Sequence, residues 1–395
     1  MLSNAAVLVD GARIAAVGPY RELKAAHPRA EETPIRGVLF PGFIDCHTHA
    51  VFGAPRIDDH ERRALGQSYQ AIAAAGGGIL ESVRDVRARG ESALAALART
   101  RLDALRAHGT TTVEIKSGYG LELAAELKQL RVARRLAADG SPAVVATFLG
   151  AHEVPPEFRD RRAAYVKLVS EEMLPAVARE SLARFCDVFC EPGVFSPVEA
   201  RTVLDAARRA GLGLKVHADE LETSGGAELG VALGAVSVDH LAGVSDAGVR
   251  ALGGAETVAV LLPATMSFLG RQRQAPARRL IDAGAVVALA SDFNPGSSPT
   301  VGLPGVMSLA VSQLGMRHAE ALTAVTVNAA AALGLAGERG QIAPGMAADL
   351  VAADVADWRE IAYWVGANVV TAVWTGGSAC PRLSGPISLG LNVQA

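Results

Sequence analysis

His47 and His49 are separated by one residue, so on an extended chain both imidazoles point to the same face. Two ligands of one metal ion need that arrangement. Further along, His217 begins H-A-D-E and brings Glu220, His240 ends the pair D-H, and Asp292 begins D-F-N-P-G. Each follows a short apolar run. Of the nine histidines, five (47, 49, 152, 217 and 240) stand at the ends of such runs, which histidines scattered over helix surfaces would not do. His47, His49, His217 and Asp292 form a mixed nitrogen and oxygen set that suits one Zn²⁺ or Fe ion and leaves a position for water. The chemistry of such a centre is hydrolysis by an activated water. Glu220 and His240 also have plainer readings, as a solvated residue at a helix start and a hydrogen-bonded core histidine. His27, His60, His108 and His318 fall on helical or loop stretches and read as surface.

The elements that must carry these residues can be counted. Strand patterns occupy 38–45, 111–117, 143–151, 185–190, 212–218, 236–241, 257–263 and 285–291. Between them lie stretches such as ESALAALARTRLDALRAHG, whose apolar residues recur at helical spacing. Eight buried strands alternating with helices predict an α/β fold, a (β/α)₈ barrel, with its active site at the C-terminal ends of the strands. An open doubly wound sheet of eight parallel strands fits the same count. AAVLVD and RIAAVG near the start read as a hairpin, and short β patterns return after Gly340. Both chain ends are therefore expected to build a small β-sandwich, from 1–36 and 336–395, around a barrel at 37–335.

At 395 residues the chain has room for one large barrel and a small appended domain. Its formal charge of −3 provides no basic surface for nucleic acid and no polybasic membrane patch. Asp10 and Arg13 interrupt the first apolar stretch, which argues against a signal peptide. The longest apolar run, near Val258 to Leu269, contains Pro263 and is too short to span a bilayer. Cys46, Cys186, Cys190 and Cys380 show no CxxC pairing, so reduced thiols in a cytoplasmic protein are expected.

With H-T-H on the first barrel strand, His on the fifth and sixth, and Asp on the eighth, the chain resembles the amidohydrolase superfamily. Its tail, TVNAAAALGLAGERGQIAPGMAADLVAAD, is similar to the superfamily's return into the small sandwich. Within the superfamily the likeness is to the imidazolonepropionase family. It covers nearly the whole chain, through PGFIDCHTHAVFGAPR, SYQAIAAAGGGI, VEIKSGYGL, FLGAHEVPPEF, KVHADE, DHL and ALASDFNPGSS. H-T-H is widely shared; EIKSGYGL and SDFNPGSS are far more specific. Members usually begin with further residues ahead of the first β pattern, whereas this chain opens directly on it.

The resemblance implies one metal ion on His47, His49, His217 and Asp292. It puts substrate contacts at Arg56, Tyr119, His152, Glu220, Asn294, Gly296 and Ser297, and the catalytic residues at Glu220, His240 and Asp292. The implied reaction opens the cyclic amide of 4-imidazolone-5-propanoate to N-formimidoyl-L-glutamate, in a homodimer. Arg56 would hold the propanoate. Two-metal relatives usually carry a bridging lysine or glutamate at the fourth strand end. Here that end reads Cys190-Glu191-Pro192, and Lys116 lies two strands early, so one ion is expected, with Glu191 the residue that keeps a second in view. Cytosine- and guanine-deaminase members share the ligand pattern but take neutral bases, and the arginine distinguishes them. A barrel retained only as a binding scaffold would lose ligands, and every ligand type is present.

Overall fold

The computed structural model describes residues 2–68, 71–72, 75–381 and 389. Tyr69, Gln70, Ala73 and Ala74 of the SYQAIAAAGGGI string lie outside them, as do most residues after 381 of the expected sandwich segment. Two strands, β1 (Ala5–Asp10) and β2 (Arg13–Pro19), form an antiparallel hairpin. The next, β3 (Val38–Pro41), belongs to a four-stranded antiparallel sheet with β12 (Leu350–Ala353), β13 (Val370–Thr375) and β14 (Ser378–Ala379). Backbone bonds from Ile14 N to Met346 O and from Ala348 N to Ala12 O, both 2.9 Å, join the hairpin to this C-terminal part. Ile14, Ala348 and Leu350 are buried between them, against Val7, Val17, Leu39 and Trp374. The two chain ends thus meet in one small β unit.

The barrel strands run in chain order. They are β4 (Phe43–Asp45), β5 (Thr110–Lys116), β6 (Ala143–Ala151), β7 (Phe185–Cys190), β8 (Gly213–Ala218), β9 (Ser237–His240), β10 (Val258–Leu261) and β11 (Val287–Leu289). All neighbours are parallel. The first and last strands meet just beyond their ends, where Thr48 bridges Phe293 in parallel. Asp292 N donates to His47 O at 3.0 Å and His49 N to Phe293 O at 2.9 Å. This closure excludes the open doubly wound sheet and joins the H-T-H segment to the segment carrying Asp292.

One strand expectation is corrected. The run 38–45 is two strands serving two sheets: β3 pairs antiparallel with β12, and β4 pairs parallel with β5. Gly42 is the joint. Its N–H is held by Asp349 O at 2.8 Å, and a Cβ there would stand 2.2 Å from Thr111 Oγ1. An unbroken apolar run cannot reveal that its partners change midway.

Around the barrel, helices such as Glu91–Ala107 bury one face, here Leu94, Ala98, Leu102 and Leu105. Among the described residues no helix is long and apolar enough to cross a membrane.

Candidate metal centre

Strand register assembles the centre. His217 on β8 pairs with Asp239 on β9, and Ala218 pairs with His240. His47 and His49 follow β4, and Asp292 follows β11 across the closure. Ligand atoms of His47, His49 and Asp292 lie within 4.8 Å of one another, as do those of His47, His217 and His240, and of His49, His152 and His217. Asp292 Oδ1 is 3.5 Å from both His47 Nε2 and His49 Nε2, and Thr265 Oγ1 donates to its other oxygen at 2.7 Å. All these residues are buried.

Backbone conformation sets the segment apart. Asp219, His240, Leu241 and Asp292 have positive φ, between 51° and 83°, without being glycine. Left-handed backbone is uncommon for such side chains and concentrates where a side chain must be aimed against local preference. These four residues stand at the ends of three barrel strands, β8, β9 and β11.

The donor set fits a cation. His47 Nε2, His217 Nε2 and His240 Nε2 are buried with no hydrogen-bond partner among the described residues, and His49 turns its Nε2 to within 3.5 Å of Asp292 Oδ1 beside them. Several converging orphan nitrogens are costly unless something outside the protein satisfies them. Burial pushes His47, His49 and His240 well below the usual imidazole range, and His152 falls to about 3, from burial first and then His217. Neutral imidazole is the ligating form. Asp292 is raised to about 6 by its burial.

Sequence reasoning missed the layer beneath. His47 Nδ1 lies 2.6 Å from Asp239 Oδ2, and His217 Nδ1 lies 2.9 Å from Asp187 Oδ2. Below them, Lys116 Nζ sits among Asp187 (2.7 Å), Glu114 (2.9 Å) and Asp239 (3.5 Å), while Lys215 Nζ pairs with Glu114 at 2.9 Å. All five charged side chains are fully buried. Lys116 is pushed up despite its burial, because the three carboxylates outweigh it; Asp187 is held well below the carboxylate range, with His217 and Lys116 outweighing its burial. This lysine is an ion-pair partner inside the barrel. A signal existed in VEIK, DVF, LKV and VDH, where charges interrupt strands whose other residues read as continuous apolar runs.

The remaining expected residues fall around the same mouth. His240 Nδ1 is 3.6 Å from Glu220 Oε2. Glu220 is raised well above the carboxylate range by burial, with Asp292 and Glu191 adding to it. It lies in a loop that precedes the helix Gly226–Ala232, so its plainer reading as a solvated residue at a helix start does not hold. Asp219 builds that loop by accepting from Ser224, Gly225 and Ala227. Glu191, the residue that kept a second ion in view, accepts from the N–H groups of Glu220, Leu221 and Glu222 at 2.8–3.3 Å. It belongs to none of the metal-competent groups among the described residues.

His152 Nδ1 lies 3.0 Å from Gly118 O, its ring stacked 5.1 Å from His49, and the Tyr119 ring is 5.7 Å from His49. Arg56 is 5% exposed, with Nη1 3.0 Å from Ser82 Oγ and Nε 3.4 Å from Asp59 Oδ2. Its guanidinium lies so close to Gly296 that a Cβ there would be 1.8 Å from Nη2. Asn294 turns its amide onto its own loop, accepting from Gly296 N and Ser297 N at 2.9 and 2.7 Å and donating to Asp292 O at 2.7 Å. Ser297 is half-buried beside it, and of the four histidines read as surface, His27 and His60 are exposed and His108 and His318 half-buried.

Comparison with known proteins agrees with this arrangement. The model of the Amidohydrolase family matches residues 38–380, and that of the Imidazolonepropionase-like composite domain of bacteria matches residues 5–30. The chain is 49% identical to the imidazolonepropionase of Symbiobacterium thermophilum, covering 94% of this chain and 90% of that one. It is 50% identical to the imidazolonepropionase of Rubrobacter xylanophilus, over 96% and 91%. Among solved structures, an adenosine deaminase from Xanthomonas campestris with bound zinc aligns with a TM-score of 0.68 at 19% identity, over 96% of this chain and 88% of that one. Aspergillus niger ochratoxinase aligns at 0.69 and 21%, over 96% and 91%, and these two show the fold alone. The fold, the matched models and these relatives together make the chain a member of the amidohydrolase family, in its imidazolonepropionase branch.

Proposed function

We propose that the protein hydrolyses the cyclic amide of 4-imidazolone-5-propanoate to N-formimidoyl-L-glutamate. The carrying observation is a buried arginine, Arg56, packed against Gly296 in the segment that follows Asp292. A neutral nucleobase has no use for such a cation, while a carboxylate-bearing ring does. The identity to imidazolonepropionases over nearly the whole chain supports the same reading.

In this reading His47, His49, His217 and Asp292 hold one Zn²⁺ or Fe ion. When bound, the ion supplies Lewis-acid activation of water at neutral pH. Asp292 accepts the proton from the attacking water, with Thr265 steadying its second oxygen. The unpartnered Nε2 of His240 faces the substrate carbonyl and stabilises the developing oxyanion. Burial raises the Glu220 carboxyl above the usual carboxylate range, which favours the protonated form, and from there Glu220 donates a proton to the ring nitrogen as the C–N bond breaks. Arg56 binds the propanoate, and Tyr119, His152, Asn294, Gly296 and Ser297 complete the substrate pocket. The reading extends to a cytoplasmic homodimer with a barrel at 37–335 flanked by sandwich segments at 1–36 and 336–395.

Loss of the ultraviolet absorbance of imidazolone propanoate on adding purified protein tests the activity. Elemental analysis separates zinc from iron. Ammonia release from cytosine or guanine, with the imidazolone untouched, would replace this function with a deaminase.

A further inference from the structure

Between His49 and Arg56 the chain crosses the barrel mouth without regular structure, and Ala50, Val51, Phe52 and Gly53 are all buried. Buried backbone carbonyls need partners. Here two side chains from different helices take four consecutive ones. Arg101, from the helix Glu91–Ala107, donates Nη1 to Ala50 O (3.2 Å) and Phe52 O (2.5 Å), and Nη2 to Gly53 O (2.5 Å). Gln129, from the helix Leu123–Ala138, donates Nε2 to Val51 O at 2.9 Å. Its Oε1 accepts from the backbone N–H of Tyr119 at 3.0 Å. Both side chains are 1% exposed.

We propose that Arg101 and Gln129 are positioning residues that set specificity for a carboxylate-bearing substrate. Arg101 fixes the loop joining His49 to Arg56, and Gln129 ties that loop to Tyr119. The inference rests on the proposed function, in which Arg56 and Tyr119 meet the substrate.

The geometry exceeds what packing requires. The Arg101 guanidinium lies over the Phe52 ring, 3.4 Å from its centroid, with Asp85 the carboxylate that acts on it and none close enough among the described residues to form an ion pair. A buried cation is expensive to desolvate, and an apolar residue in its place would leave the Ala50, Phe52 and Gly53 carbonyls without partners, so the site is built to hold this loop. Gln129 uses both ends of its amide, so losing it frees two loops from each other without removing a charge. Asp85 completes the frame, accepting from Ala54 N at 2.5 Å. The distance between metal ligand and carboxylate anchor is therefore set by helices outside the barrel mouth.

The test compares Gln129→Met, Gln129→Glu and Arg101→Lys with wild type on imidazolone propanoate and on its neutral propanamide. Metal content and hydrogen exchange of the 50–56 backbone are read in parallel. Gln129→Met should raise KM for the acid about tenfold, with kcat within about threefold and metal retained. Exchange across 50–56 should quicken, and the propanamide should be nearly unaffected. Gln129→Glu keeps the acceptor for Tyr119 N but sets a carboxylate oxygen against Val51 O, so it should raise KM for the acid at least as much as Gln129→Met. Arg101→Lys keeps the charge but loses the fork, and should also raise KM for the acid. Faster exchange with unchanged KM, or equal losses on acid and amide, would overturn the specificity role. A wild type that hydrolyses neither compound would sink the proposed function instead. In that case the exchange measurement still decides, because unchanged protection in Gln129→Met would show that the amide does not hold the loop.

Discussion

Asp239 holds His47 by an Oδ2 to Nδ1 contact of 2.6 Å, with neither side chain reaching solvent. A carboxylate there keeps the imidazole proton on Nδ1 and leaves Nε2 as a lone pair directed at the mouth. Asp239→Asn should weaken metal binding about 10–100-fold, as removing such an orienting partner typically does. A chelator titration measures it, and an unshifted midpoint would show that His47 is oriented by other means.

Lys116 should matter for stability although it is not among the expected substrate contacts. Its ammonium lies within 3.5 Å of Glu114, Asp187 and Asp239 in a part of the barrel closed to water. Replacing it with methionine leaves three carboxylates facing one another, with Lys215 the remaining cation. The loss should be about 3–5 kcal/mol, the usual result of removing one partner from a buried ion pair. Urea denaturation of the metal-free protein checks this, and a loss below about 1 kcal/mol would mean the cluster relaxes by taking up protons or water.

His240→Ala is expected to lower kcat by about 10²–10³ while leaving the metal content of the purified protein unchanged. Its Nε2 has no partner among the described residues, and in the proposed reaction it is the group that meets the developing oxyanion. Near-normal turnover would end that assignment.

Arg56→Met should reduce kcat/KM for the propanoate substrate by about 30-fold or more, mainly through KM, because the carboxylate is bound alike in ground and transition states. The neutral propanamide should be a poor substrate for wild type and scarcely worse for the variant. Asp59 loses a partner at 3.4 Å in the same substitution, so some stability is lost as well. Gly296→Ala supplies a second route, since its new methyl group would occupy the guanidinium position and should raise KM in the same way. Equal losses on acid and amide in both variants would make Arg56 structural.

The sequence by itself determined the alternation of strands and helices, the small β unit built from both ends, and the order of the polar residues at the strand ends. Those features are local: a β-branched run ending in histidine or aspartate is visible without knowing its neighbours. Whether the sheet closes depends on the meeting of Thr48 with Phe293, residues 245 positions apart, and only the tertiary structure decided it. The same holds for Glu114, Lys116, Asp187, Lys215 and Asp239. In one dimension they are charges inside strands, and closing the barrel turns them into a buried ion-pair cluster beneath two histidines. Arg101 and Gln129 read as polar positions of amphipathic helices, yet packing turns both onto the loop beside the metal centre. Glu191 was legible as a carboxylate at a strand end, but its three backbone N–H partners come from a turn whose shape Asp219 decides. Periodicity reports which residues are buried; which buried groups meet depends on register, closure and turn geometry.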